Sequence, residues 1–223
     1  MTLIFANRVE AGRSLGEALV RRWPALADPD RTEPPLVLGL PRGGIVVAAE
    51  LARRLKAPLD ALIVRKIGHP DYPEAAIGAI GPDGDPLLSS WAAEGHLSRT
   101  LLDQAVSTAK AEWHQRNRLL RGGRPQPQPA SRTVVVVDDG IATGATALAA
   151  LRWLRRLGAA RLILAVPVGP PGVERIFAGA VDDLLCLTTP PGFTHVGQVY
   201  RRFEPASDEE VLALLRARET GRV

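Results

Sequence analysis

An α/β fold, with a mainly parallel sheet covered by helices on both faces, is what this chain predicts. Three observations carry that expectation. Val134 to Val137 form an unbroken β-branched apolar run, which reads as a strand buried on both faces. A unit of apolar strand, small-residue turn and helix occurs twice, at 36–55 and at 133–157. Further apolar runs at 59–64, 161–166 and 183–187 alternate with helical patterns, as in βαβ architecture. Right-handed crossovers restrict the topology. Ligands of such sheets bind beyond the strand C-terminal ends where the winding reverses, so the loops after Leu40 and Val137 should flank the crevice.

The elements follow in chain order. Leu3 to Phe5 is a short apolar start, and Asn7 to Trp23 an amphipathic helix with Val9, Leu15, Ala18, Leu19 and Trp23 on one side. Pro24 to Pro35 is a proline-rich connector. Leu36 to Leu40 is a strand that ends in Pro41-Arg42-Gly43-Gly44, before a helix from Ile45 to Leu55. Leu59 to Val64 is a third strand, ending at Arg65-Lys66. The stretch from Ile67 to Glu74 is rich in Gly and Pro and lacks helical period; Ala76 to Ile80 returns from it as a short strand, and 81–86 is a turn.

Gly95 to Arg121 carries one apolar stripe (Leu97, Leu101, Leu102, Ala105, Ala109, Trp113, Leu120) and predicts a long helix capped by Ser98. Arg121 to Arg132, with Gly-Gly and alternating Pro-Gln, is an extended linker. Beyond the central motif come a helix from Ala147 to Leu157, a strand from Arg161 to Val166, a turn from Pro167 to Gly172 and a short helix from Val173 to Ala178. Asp183 to Leu187 is the last strand. Ser207 caps a closing helix, 208–218, with Val211, Leu212 and Leu215 facing in.

The chain has 223 residues, enough for one α/β domain with additions and a sizeable core. Its net charge is +4, and all but Lys56, Lys66 and Lys110 of the 28 basic residues are arginine. Scattered arginines without a basic run suit a small polyanion better than nucleic acid. Cys186 is the single cysteine; it excludes an internal disulfide and, set in an apolar run, reads as an inert thiol. No signal peptide or 18-residue apolar span is read. The expectation is a cytoplasmic protein without membrane contact.

The most informative stretch is TVVVVDDGIATGATA, residues 133–147. A buried strand delivers Asp138 and Asp139 to its C-terminal end, and a turn of small residues leads into a helix. Unpaired amides of a first helical turn, with the helix dipole, favour an anion there. Small side chains admit it to the backbone, and Thr143 and Thr146 add hydroxyls. The twin carboxylates suit vicinal hydroxyls or a hydrated Mg²⁺. No Gly-Lys-Ser/Thr follows, so this is not a P-loop.

The combination resembles the PRPP-binding motif of type I phosphoribosyltransferases. That resemblance implies that Asp138 and Asp139 hold the ribose hydroxyls, directly and through water to Mg²⁺, and that Ala142, Thr143, Gly144, Ala145 and Thr146 grip the 5-phosphate. Pro41, Arg42, Gly43 and Gly44 resemble the pyrophosphate loop, where the peptide into the first glycine can be cis. Arg65 and Lys66, before a mobile loop, resemble the catalytic flexible loop that closes over the reaction centre. For His69 and Tyr72, loop position alone assigns no role. The stretch 188–203 (TTPPGFTHVGQVYRRF) resembles the base-facing loop of hypoxanthine-type members, with Phe193 in the stacking place or, equally, plugging the core.

The resemblance further implies a three-layer α/β/α fold with strand order 3-2-1-4-5-6. The strand near Ala76–Ile80 would be antiparallel. One domain would span 1–223, its core about 36–90 and 131–205, with a helical insertion about 91–130 and the helix 7–23. A hood over the base would draw on the long helix, the N-terminal helix, or both. Mg²⁺-assisted phosphoribosyl transfer from PRPP to a nitrogenous base, in a homo-oligomer such as a dimer, is the implied activity.

Three departures limit the transfer. Gly140 stands where an aliphatic residue is usual. Ala142 replaces the acid that faces the purine N7 in hypoxanthine-type enzymes, and no lysine lies near Val166, so a 6-oxopurine acceptor is disfavoured. A PRPP- or nucleotide-binding regulator without turnover, and a hydrolase or phosphorylase acting on a ribose phosphate, are the alternatives.

Overall fold

Strand β1 (Leu36–Gly39) lies at the centre of the molecule because every residue in it is apolar or Gly and buried on both faces. In the computed structural model, which describes residues 3–72 and 75–219, it pairs in parallel with β2 (Leu59–Ala61) and, register Leu36 to Val134, with the valine strand Thr133–Val137. Between β2 and that strand come three short strands, β3 (Arg65–Gly68), β4 (Ala76–Ile80) and β5 (Pro86–Leu88), so the valine strand is β6. It is followed by β7 (Arg161–Val168) and β8 (Asp183–Thr188). The main sheet runs β2-β1-β6-β7-β8, all parallel.

Helices α1 (Arg8–Arg22) and α2 (Gly43–Leu55) lie on one face, where Val37, Val135 and Ile163 point. Leu38, Val136 and Leu164 point to the other face and meet α5 (Ala145–Arg156) and α6 (Val173–Ile176). The alternation of consecutive valines between two buried faces is the reason β6 shows no polar periodicity. Three more helices complete the described chain: α3 (Ser90–Ala93), α4 (Arg99–Arg121) and α7 (Asp208–Glu219). Ser98 caps α4, accepting from the Leu101 amide, as its sequence pattern predicts.

The antiparallel strand expected at Ala76–Ile80 is present, but it does not extend the main sheet. It sits between β3 and β5 in a separate three-stranded antiparallel sheet. Arg65 and Lys66 are therefore paired residues of β3, opposite Ile80 and Ala79, rather than the end of a strand. The loop between β3 and β4 is correspondingly shorter, and its Pro73 and Glu74 lie outside the described residues. Strand β5 and helix α3 fall where no element was expected, being too short to show a period. Leu101, expected on the apolar stripe of α4, is exposed at 37%.

The turn expected from Pro167 to Gly172 begins later. Strand β7 continues to Val168, which pairs with Thr188. Strand β6 ends opposite Ala165, so Pro167 lies where β7 has a strand neighbour on one side only and the missing N–H costs little.

Two packing features set up the site. A Cβ on Gly12 would fall 2.6 Å from the Val47 carbonyl oxygen, and one on Gly16 3.2 Å from Arg54 Cβ. These glycines let α1 lie directly against α2. On the opposite edge, α4 is fastened to the stretch after β2. The Trp113 indole donates to the Ile63 carbonyl at 3.0 Å, and Arg121, 2% exposed at its side chain, forks onto both Asp60 oxygens at 2.8 and 2.9 Å.

Breaking a buried pair strands a charge in low dielectric. Arg121→Ala should cost about 3 kcal/mol of stability, read as a lowered urea midpoint; an unchanged midpoint would show that the anchor is dispensable.

Candidate active site

Strand β6 carries Asp138 and Asp139 past the end of the sheet. Gly144, at φ +77°, then reverses the chain into α5. That left-handed conformation suits glycine; a Cβ there would also stand 2.8 Å from Ile176. Between the strand end and the helix lies a concavity of about 160 Å³, lined by Asp138 and every residue from Gly140 to Ala147. Ala142, Thr143 and Thr146 are exposed on its wall, and the Thr143 hydroxyl lies 3.4 Å from the Ala145 amide. Amides of a first helical turn lack intrahelical acceptors, so the floor forms a cradle suited to an anion. The helix begins two residues before the expected Ala147, which brings Thr146 into that first turn.

The loop after β1 closes against the acids from the other side. A Cβ on Gly43 would lie 1.9 Å from Asp139 Oδ2, and one on Gly44 3.0 Å from Asp138 Oδ1. Gly43 is therefore required by contact with the Asp139 carboxylate, and Gly44 first by the β6 backbone, where a Cβ would fall 2.8 Å from the Val137 carbonyl oxygen and 2.9 Å from Asp138 Cα. The single cis peptide among the described residues is Pro41–Arg42, one residue before the position that the resemblance implied.

The two acids have different surroundings. Asp138 Oδ1 accepts only the neighbouring Asp139 amide, at 2.9 Å, among the hydrogen bonds found for its side chain. Burial, then the charge of Asp139, pushes its carboxyl well above the usual range. Asp139 is held. Arg8 Nε, from the first turn of α1, donates to Asp139 Oδ2 at 2.7 Å, with the two side chains 12% and 17% exposed. Arg8 also donates to the Glu204 carbonyl at 2.7 Å, and its guanidinium stacks 4.0 Å over Phe203. Tyr200 donates its hydroxyl to the Asp139 carbonyl at 2.6 Å; burial raises its phenol far above the ordinary value, so it stays a neutral donor.

Comparison with known proteins identifies the family. The model of the phosphoribosyl transferase domain matches residues 15–175. The chain belongs to the phosphoribosyl transferase family. It is 44% identical over 213 residues to the candidate phosphoribosyl transferase Rv0571c of Mycobacterium tuberculosis strain H37Rv, covering 95% of this chain but 46% of that protein. The same figures hold for its counterpart MT0597 in strain CDC 1551. The chain thus spans about half the length of the curated relatives it matches. The crystal structure of TT1426 from Thermus thermophilus superimposes with a TM-score of 0.82 at 40% identity, covering 96% of this chain and 98% of the other.

Within this phosphoribosyl transferase framework, the residues singled out from the sequence fall into four places. Asp138 and the stretch Ala142–Thr146 share the cradle, with Asp139, Gly43 and Gly44 at its edge. Pro41 and Arg65 line a larger neighbouring cavity of about 360 Å³ beside α4. Lys66 and His69, with Arg65 again, line an adjoining groove under α4, and Tyr72 is 70% exposed. Phe193 is partly buried on a small cluster with Phe5, Val168, Val199 and Tyr200. Cys186 is half-buried, its thiol pushed up to about 11 chiefly by burial, an unreactive group as expected.

The departure at Gly140 has a steric reason. A Cβ there would meet Val196 at 2.4 Å and Val168 at 2.7 Å; two valines from β7 and the following strap fill the space an aliphatic residue would take.

Sequence reasoning missed Arg8 and Tyr200. Tyr200 stood within the quoted stretch 188–203, whereas Arg8 is 131 residues from its partner and carries no motif.

Proposed function

We propose that the protein transfers a phosphoribosyl group from PRPP to a nitrogenous base, the reaction also running in reverse as pyrophosphorolysis. The observation that carries this reading is the juxtaposition of the 142–146 cradle, the under-partnered carboxylate of Asp138 and the Gly43-Gly44 turn at adjoining strand ends. In this reading the cradle takes the 5-phosphate through backbone amides and the Thr143 and Thr146 hydroxyls. Asp138, and Asp139 through its free edge, accept from the ribose hydroxyls. Arg42, Arg65 and Lys66 stabilise the departing pyrophosphate, and water is excluded as the site closes.

Mg²⁺ fits this donor set as a substrate-carried ion. Among the described residues no three His, Cys, Asp or Glu side chains converge on a cation position. Mg²⁺ characteristically takes one or two carboxylates plus substrate oxygens and waters. Asp138 and Asp139 would hold it through water, and it would neutralise charge developing on pyrophosphate.

The N-terminal helix α1 packs toward β7 and β8, whereas α4 packs on β3 and β4. We therefore place the base between α1 and the 188–203 strap, with Phe193 at its border, and the segment 91–130 at the pyrophosphate end. A 6-oxopurine acceptor is disfavoured, since Ala142 and the Val166-Pro167-Val168 strand end supply neither the acid nor the lysine that would read one.

The test is a panel of bases and amines incubated with PRPP and Mg²⁺, followed by pyrophosphate release. Release that requires one acceptor supports transfer. Release with PRPP alone would make the protein a hydrolase, and PRPP binding with no release under any acceptor would make it a regulator.

A further inference from the structure

We infer that the cavity between α4 and α7 is a polyphosphate pocket in which Arg116, from the long helix, joins Arg42 and Arg65, and that Asp208 and Glu112 are counterions displaced when a polyanion binds. This rests on the reading of Pro41–Gly44 as the pyrophosphate loop, and adds a residue and a charge exchange to it.

The cavity holds about 360 Å³. Its walls are the Pro41 end of the loop, the Ile63–Arg65 stretch, α4 and the first residue of α7. Arg116 Nη1 lies 2.5 Å from Asp208 Oδ1, and Arg42 Nη1 approaches the same oxygen at 3.8 Å. Arg65 Nε lies 2.5 Å from Glu112 Oε2. Arg65 and Arg116 thus line the space with their partner carboxylates Glu112 and Asp208, and Arg42, at its edge, brings a third guanidinium to the same Asp208 oxygen.

These pairs differ from the structural one nearby. The side chains of Arg42, Arg65, Arg116, Glu112 and Asp208 are between 32% and 54% exposed, against 2% for Arg121. Ion pairs with that much solvent contribute little, so exchanging their carboxylates for phosphate oxygens costs little. Guanidinium forks match phosphate oxygens two at a time. One pyrophosphate carries the charge of both displaced acids and more.

Placement supports the same assignment. Glu112 and Arg116 are four residues apart and share a helix face. Trp113 between them is buried and tied by its indole N–H to the Ile63 carbonyl, so that face is held toward the cavity. The helix that interrupts the strand series therefore supplies a ligand to the leaving-group end.

Calorimetric titration with inorganic pyrophosphate, and separately with ribose 5-phosphate, tests this. Arg116→Ala should weaken pyrophosphate binding about tenfold or more and leave ribose 5-phosphate unchanged. Asp208→Asn should strengthen pyrophosphate binding several-fold by removing the competitor. Arg118→Ala, an equal loss of charge at an exposed position on the same helix, should have no effect. Pyrophosphate affinity that ignores Arg116→Ala, or falls equally with Arg118→Ala, overturns the inference. Pyrophosphate failing to bind at all also overturns it. Ribose 5-phosphate failing to bind, while pyrophosphate still depends on Arg116, would overturn the cradle reading and leave this pocket standing.

Discussion

Gly43→Ala is expected to weaken ribose 5-phosphate binding at least about 100-fold, equivalent to about 2.8 kcal/mol or more, and to destabilise the protein. The added methyl would lie 1.9 Å from Asp139 Oδ2 and 2.6 Å from Arg8 Nε. Neither atom can yield freely. Asp139 is fixed by Arg8 and, at its carbonyl, by Tyr200; Arg8 is fixed by the Glu204 carbonyl and the Phe203 ring. Any accommodation rotates the carboxylate away from Arg8 and leaves a nearly buried guanidinium short of a partner. Overpacking and the lost charge-assisted bond together should cost about 2–3 kcal/mol of folding free energy. For a chain of this length each kcal/mol lowers Tm by about 2–4 °C. Calorimetry and a thermal melt on the same sample check both parts. Wild-type affinity in the variant would mean that the glycine loop does not border the ribose site.

Asp138→Asn is expected to weaken ribose 5-phosphate binding about 10- to 100-fold, the worth of hydrogen bonds to a charged group. The same change should make the ligand-free protein more stable at neutral pH. The sign follows from burial. The folded-state carboxyl titrates above its unfolded value because desolvation and Asp139 disfavour the charge. Between those two values the native state holds the extra proton, so stability is fully present below the unfolded value near pH 4 and declines as pH rises through the folded one. Asparagine cannot ionise and removes that decline. Melts from pH 4 to 8, with chelator present, should show the variant gaining on wild type as pH increases. A variant that loses stability toward pH 8 would show that the Asp138 carboxylate is compensated by partners other than the Asp139 amide and Arg8. The expected pairing of lost binding with gained stability is the usual signature of a carboxylate kept for a ligand.

The parallel sheet and its cradle were legible in the sequence because their causes are local. Four valines in series can only be buried on both sides, and 138–146 carries acids, glycine and threonines in one unbroken register. The Gly43-Gly44 turn was legible for the same reason. The placement of β4 was not, since whether a five-residue strand joins the main sheet or pairs with Pro86–Leu88 depends on partners outside it. Arg65 and Lys66 sat next to a Gly- and Pro-rich segment, which masked their pairing opposite Ile80 and Ala79. Arg8, Arg116 and Asp208 act across long sequence separations: Arg8 meets Asp139 and Arg116 meets Asp208 only after α1, α4 and α7 have docked. No local pattern marks a side chain whose partner is chosen by packing.

The bridge from Arg8 to the carbonyl of Glu204 has a bearing on biogenesis. On a ribosome, α1 and the sheet could assemble while the strap at 193–204 was still within the exit tunnel, and Asp139 would then have only part of its eventual bracing. In that order of assembly Asp139 gains its Arg8–Glu204 bracing only once the strap has docked.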